Sequence, residues 1–177
     1  AGGTVALASS QGMDVGGITG GSVELTAYGD IMDQTPEGEF MIEADSAILY
    51  AIGGIIGGSY AKLKVNKLSA FADEIYIKNY GALQLGTIAV HGSTGAIIAG
   101  GAITQQSGGY VAGRNIILTA DGDIGTETVP LTTNVENLTA SGSNVYINNI
   151  GHLQSVKISG GSVVLTVGGS LIGGSIH

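Results

Sequence analysis

The chain has 177 residues, of which 32 are Gly, 2 are Pro and none is Cys. Its hydrophobic share of 44% is too high for a disordered chain, and so much Gly is unusual for one packed globular core. The formal net charge is −8, which argues against a nucleic-acid partner because phosphate binding needs a surplus of Lys and Arg. No apolar run approaches the roughly 18 residues of a membrane helix, so we expect no membrane insertion.

A decad with alternating apolar positions recurs along the chain. It reads SVELTAYGDI at 22–31, SAILYAIGGI at 46–55, NIILTADGDI at 115–124 and SVVLTVGGSL at 162–171. A period of two predicts strands with one face in the core. The predicted inward positions are Val23, Leu25, Ala27 and Ile31 in the first copy, Ile116, Leu118, Ala120 and Ile124 in the third, and Val163, Leu165, Val167 and Leu171 in the fourth.

A second repeated unit reads DEIYIKNYGALQ at 73–84 and SNVYINNIGHLQ at 143–154, 70 residues apart. The decads at 46 and 115 are 69 residues apart, which indicates a super-repeat of about three coils. Units begin near Gly3, Ser22, Ser46, Asp73, Ser93, Asn115, Ser143 and Ser162. Their spacing of roughly 20–28 residues is typical of solenoids and predicts about eight rungs.

Pairs of Gly, such as those at 53–54 and 57–58, interrupt the apolar runs, which disfavours helices and predicts corners between short strands. We therefore predict an all-β, right-handed parallel β-helix, a single β-solenoid segment over residues 1–177. An antiparallel sandwich or barrel is the competing interpretation, but similar repeats at coil spacing favour the solenoid. Neither end resembles a polar cap, so we expect part of a longer chain or a polymerising subunit.

Three phrases resemble filamentous-haemagglutinin-like repeats of large bacterial surface exoproteins: LTADGDIG at 118–125, PLTTNVENLTASGSNVYINNIG at 130–151, and SVELTAYGDI. The resemblance is clearest over 115–171, whereas 32–45 and 87–114 depart from the pattern as loops or diverged coils. Members of that family are very long right-handed β-helices displayed on the cell surface. The resemblance implies secretion to the cell surface or extracellular space and a role as stalk, adhesin or surface layer, with no catalytic residue to carry over.

Candidate chemistry is sparse. The pairs Asp30 and Asp33, and Asp121 and Asp123, carry oxygens of the kind that Ca²⁺ prefers, although Asp in turns also bonds its own backbone. A tandem GGxGxD repeat is absent, and we predict no metal. Arg114, the only Arg, has no acidic cluster near it in sequence, and His91, His152 and His177 share no metal-ligand spacing. We predict no catalytic residue and no cofactor.

The outward positions carry the main functional prediction. Alternation in the copy at 46–55 places Ile48, Tyr50 and Ile52 outside as an apolar stripe, and Tyr76 and Tyr146 occupy equivalent places in the second unit. We predict a self-association surface there, with other copies or flanking coils as partners and a host or neighbouring-cell surface as a further candidate. The alternative function is that of a β-helical polysaccharide-binding or polysaccharide-degrading protein.

Charge is unevenly distributed along the first half of the chain. An acidic stretch between Glu24 and Asp45 is followed by four lysines at 62, 64, 67 and 78. Such neighbouring stretches either pair between rungs or between molecules, or remain solvated faces, which is the commoner outcome.

Overall fold

A computed structural model describes residues 2–177, and its regular secondary structure within that range consists of strands alone. The strands are β1 (Thr4–Ser9), β2 (Met13–Val15), β3 (Ile18–Thr19), β4 (Ser22–Ala27), β5 (Ile31–Asp33), β6 (Ile42–Ala51), β7 (Ile55–Ala72), β8 (Glu74–Asn79), β9 (Leu83–Val90), β10 (Thr94–Ala99), β11 (Ile103–Ala120), β12 (Leu131–Ser141), β13 (Val145–Asn149), β14 (Ser155–Ser159), β15 (Val163–Val167) and β16 (Gly174–Ile176). Among residues 2–177 no helix is long and apolar enough to cross a membrane.

The strands stack in two columns, and each turn of the chain adds one segment to each column. The first column contains 4–9, 22–27, 46–51, 67–72, 83–90, 103–112, 131–135, 145–149 and 163–167. The second column contains 13–19, 31–44, 55–65, 74–79, 94–99, 115–120, 137–141, 155–159 and 174–176. The long strands β6, β7, β11 and β12 pass around a corner and belong to both columns.

Every pairing between neighbouring turns is parallel, with paired residues 16 to 25 positions apart. The chain is therefore a β-solenoid of about nine turns, and the antiparallel sandwich or barrel is excluded. The turn beyond the predicted eight is formed by β12, whose sequence LTTNVENLTAS has the polar Thr133 at a core position and resembles neither repeat. At a strand spacing of about 4.8 Å the stack is roughly 40 Å long. The predicted right-handed sense stays a prediction.

The core is one cluster of buried aliphatic side chains contributed by both columns. Val23, Leu25, Ala27 and Ile31 are fully buried, and Leu118 and Ile124 are equally inaccessible, which confirms the inward faces predicted for these two decads. In the last turn Val163, Leu165 and Val167 are only partly buried, and Leu171, predicted inward, is 48% exposed.

The similar sequence units do not all lie on the same column, which corrects the predicted super-repeat of about three coils. The decad at 46–55 pairs directly with the one at 22–31 in the first column, as predicted. The decad at 115–124, however, begins in the second column, where Ile116 pairs with Leu138. The unit at 73–84 likewise starts in the second column and the unit at 143–154 in the first. A spacing of 69 or 70 residues thus corresponds to about three and a half turns.

A buried Asn explains why the second unit recurs at different corners. Asn79 accepts a hydrogen bond from the Val65 amide at 2.9 Å and donates to the Val65 carbonyl at 3.1 Å. Asn149 does the same with Val135, at 3.0 and 3.4 Å. In each case the Asn side chain bonds the backbone amide and carbonyl of a Val, in the place of a neighbouring strand, at the point where the chain leaves one column. The repeated sequence therefore encodes a local corner that either column can use.

The two regions that depart from the repeat pattern are coils of the solenoid. Residues 87–114 supply β10 and parts of β9 and β11, all within the parallel columns. Residues 32–45 include the ends of β5 and β6, separated by a short excursion over 34–41 that returns the fully buried Met41 to the core. In these two regions the sequence differs from the repeats mainly at corners and loops, whereas the inward positions of the strands remain apolar.

Candidate functional site

The predicted apolar stripe lies on the outer side of the first column. Along 46–51 buried and partly buried residues alternate, with Ala47, Leu49 and Ala51 inside and Ile48 and Tyr50 outside. Ile52 follows at the corner and is 50% exposed.

The structure adds Phe71 to this surface. Phe71 pairs with Tyr50 in the next turn, and the two rings stack with centroids 4.8 Å apart and planes 14° from parallel. We call Ile48, Tyr50, Ile52 and Phe71 the outer stripe. Sequence reasoning missed Phe71 because it placed no unit start at 67, although the 21-residue spacing from Tyr50 falls within the spacing of the coils.

Tyr76 and Tyr146, predicted to mark one recurring surface, lie on different columns. Tyr76 pairs with Ala96 in the second column, and Tyr146 pairs with Val164 in the first. The Tyr76 hydroxyl donates to Glu74 Oε2 at 3.0 Å. Desolvation, followed by that hydrogen bond and the Glu74 charge, raises the pKa of Tyr76 above its usual value. Tyr76 and Tyr146 therefore occupy equivalent positions in the repeated sequence, but their side chains do not form a common surface.

The Asp residues considered as calcium ligands accept hydrogen bonds from the following turn. Asp30 Oδ1 accepts from the Ile55 amide at 2.9 Å, and Asp33 Oδ2 accepts from the Lys62 amide at 2.9 Å. Asp123 Oδ1 accepts from the backbone and side-chain nitrogens of Asn144, at 3.0 and 2.9 Å. These carboxylates tie one turn to the next. No group of three His, Cys, Asp or Glu side chains within 2–177 is arranged to hold a metal ion.

The acidic and basic stretches pair between neighbouring turns. Lys64 Nζ lies 2.7 Å from Glu43 Oε1, and Lys67 Nζ lies 3.5 Å from Asp45 Oδ2. Asp45 also accepts from Asn66 Nδ2 at 2.9 Å. That hydrogen bond, together with the charge of Lys67, lowers the pKa of Asp45. Both salt bridges are solvent-exposed, so they specify surface charge more than they stabilise the fold.

Aromatic residues gather beside these charges, along the second column and at the corner where it leads into the first. Phe40 and Tyr80 pack edge to face with centroids 5.2 Å apart, and Tyr60 and Tyr76 do so at 6.0 Å. Lys78 Nζ lies 5.0 Å from the centre of the Tyr80 ring. Tyr80 is 45% exposed and lies between two grooves. Sequence reasoning singled out Tyr76 but missed this corner, because Phe40 and Tyr60 lie outside the repeats and only the coiling of the chain brings them to Tyr80 and Tyr76.

The remaining titratable candidates are separate from this corner. Arg114 Nε lies 3.5 Å from Glu136 Oε2 on the surface. His152 Nδ1 accepts a hydrogen bond from the Ser170 amide at 2.8 Å, which ties the last two turns together.

Comparison with protein-family models, with curated proteins and with solved structures finds no match for this chain.

Proposed function

We propose that this chain is a structural and adhesive module of an exported bacterial surface or extracellular filament protein, in which it acts as a rigid rod with a self-association surface. The observation that carries this proposal is the unbroken parallel pairing of both columns around one aliphatic core. Because each turn is hydrogen-bonded to its neighbours along the whole stack, bending the rod requires breaking ladder bonds and opening the core. Such a body projects or spaces whatever is attached to it.

The outer stripe supports the self-association part of the proposal. Tyr50 and Phe71 form a stacked aromatic pair on the outer side of the first column, and Ile52 extends this apolar surface to the corner at 50% exposure. A second copy lying alongside would cover this area, and removing apolar surface from water contributes about 25 cal/mol per Å². The partner that we propose for the outer stripe is a second copy of this chain, because two rods lying side by side can present the same extended face to each other.

Sedimentation velocity over a range of protein concentrations tests this role. We expect reversible association of the wild-type chain and a marked loss of association in Ile52→Lys. Ile117→Lys is the matched control, because Ile117 is 39% exposed and lies on the second column, where it pairs with Ala96 and Thr139. A strictly monomeric wild-type chain, or equal loss in both variants, would contradict the self-association surface.

Surface display needs its own measurement. Antibodies raised against the purified chain should label intact cells that produce the protein, and external protease should remove the label. Labelling that appears only after the cells are opened would contradict the proposed location.

A further inference from the structure

The aromatic corner has the features of a ligand groove. Four of the nine aromatic residues of the chain lie there: Phe40, Tyr60, Tyr76 and Tyr80. The two edge-to-face pairs hold ring surfaces at defined angles, and nearly half of the Tyr80 side chain remains accessible. Partly exposed tyrosines of this kind offer an apolar ring together with a hydroxyl that can bond a ligand.

The larger groove follows the rod axis. Its volume is about 510 Å³, and its lining comes from 19–20, 43–45, 64–66 and 80–82. These segments belong to four successive turns, since Thr19 pairs with Glu43, Glu43 with Lys64, and the Tyr80 amide bonds the Leu63 carbonyl. Three turn spacings correspond to about 14 Å. An extended linear ligand parallel to the axis therefore fits this groove better than a compact one.

The backbone of Tyr60 gives independent support for a functional constraint. Tyr60 is the one non-glycine residue within 2–177 with a positive φ, at 144°, in a region that side chains rarely adopt. It ends an irregular segment that begins at Gly57, where a Cβ would collide with the Tyr76 carbonyl. This strained backbone sets the Tyr60 ring against Tyr76, on the wall of the smaller groove. Strain of this kind concentrates at binding sites.

The charges of the corner define the chemical class of the ligand. Glu43, Asp45 and Asn66 line the larger groove, and Asp33 and Glu37 line the smaller one. Lys64 also lines the larger groove, where it bonds Glu43, and Lys62 and Lys78 line the smaller one. Lys62 bonds the Thr35 and Pro36 carbonyls at 2.7 and 2.9 Å, and Lys78 Nζ lies 5.0 Å from the centre of the Tyr80 ring. Carboxylates accept hydrogen bonds from hydroxyl groups, and an amide both accepts and donates them. The negative charge of the carboxylates disfavours a polyanion.

We propose that this corner binds a linear, uncharged oligosaccharide or the chain of a neutral polysaccharide. A sugar ring presents an apolar C–H face, which suits the Tyr80 ring, and a rim of hydroxyls, which suits Asp45 and Asn66. This goes beyond the rod role and does not depend on it, because the corner is separate from the outer stripe. A strictly monomeric chain would bind the same ligand.

The test uses the whole chain and three neutral probes, cellohexaose, chitohexaose and mannohexaose, with a heparin hexasaccharide as the polyanionic comparison. Binding is measured by calorimetry and by tyrosine fluorescence, since the chain has no Trp. We expect at least one neutral hexasaccharide to bind, and Tyr80→Ala to weaken that binding at least tenfold. Tyr110→Ala is the matched control, because Tyr110 is 41% exposed and belongs to a different turn.

A second variant shows whether a loss of binding could come from unfolding. Asn66→Ala removes an exposed amide from the larger groove, and its melting temperature should stay close to that of the wild type while its affinity falls. Ile52→Lys should leave sugar binding intact, which separates this proposal from self-association. Binding of heparin alone, binding of no probe, or equal losses in the Tyr80 and Tyr110 variants would overturn the proposal.

Discussion

Replacing Asn149 by Leu tests the corner motif that the repeated sequence encodes. Asn149 is fully buried, and its Oδ1 accepts from the Val135 amide at 3.0 Å and from Thr133 Oγ1 at 2.8 Å. Its Nδ2 donates to the Val135 and Gly151 carbonyls, at 3.4 and 3.2 Å. Leu has a similar size but supplies none of these bonds. The substitution therefore removes these partners from the amide and the carbonyl of Val135 and from the hydroxyl of the fully buried Thr133.

Each buried unpaired group costs about 1–3 kcal/mol, and the apolar atoms of Leu offset part of the loss. We expect Asn149→Leu to lower the free energy of unfolding by about 2–4 kcal/mol, measured from urea transitions. Asn148→Leu is the control, because Asn148 is only partly buried and its side chain makes no hydrogen bond within 2–177. Equal stability of the two variants would refute the role given to the buried amide.

Three further outcomes are expected. Leu118→Ala should destabilise the chain by about 3 kcal/mol in the same assay, since Leu118 is fully buried, whereas the outward Thr119→Ala should be nearly neutral; similar effects would contradict the register. The raised pKa of Tyr76 predicts a stabilising contribution that is present below about pH 10 and is lost as pH rises through the higher folded-state pKa. Tyr76→Phe should therefore remove an alkaline step from the absorbance titration, and an unchanged titration would oppose this assignment. Calcium added to chelator-treated protein should leave the melting temperature unchanged, since the Asp123 carboxylate already bonds Asn144; a large rise would contradict this.

The inward pattern of the strands could be predicted from the sequence because it depends on local alternation. Leu25 and Leu118 occupy equivalent places in their decads, and both are buried as expected. The outward placement of Ile48 and Tyr50 follows from the same alternation. Period two fixes which side of a strand faces the core, whichever column the strand joins.

The sequence did not allow us to predict which column each repeat joins. That placement depends on the combined length of all the corners between one repeat and the next. The excursion over 34–41 lengthens one turn between strands, and the irregular segment over 57–60 lies within β7, where its pairing with β8 shifts register between Ile56 and Ala61. A few residues more or less per corner decide whether a copy returns after three or three and a half turns. The similarity between 73–84 and 143–154 indicates that the two segments form the same kind of corner. It does not determine which of the two columns each segment joins.

The candidate ligand corner was beyond sequence reasoning for a related reason. Phe40, Tyr60 and Tyr80 come from three turns and share no motif, so only the coiling of the chain brings them together. The one local signal was the density of aromatic and charged residues between 33 and 80, in a chain that is only 5% aromatic.

A distance measurement between Lys78 and Ser159 tests the solenoid most directly. The pairings from Lys78 to Ile98, Thr119, Ser141 and Ser159 place these two residues four turns apart on one column. Because the chain has no Cys, spin labels at Lys78→Cys and Ser159→Cys report this pair alone. Four strand spacings predict a narrow distribution around about 19 Å, although 81 residues of chain separate the two sites. A broad distribution, or a mean more than twice as long, would contradict the parallel solenoid.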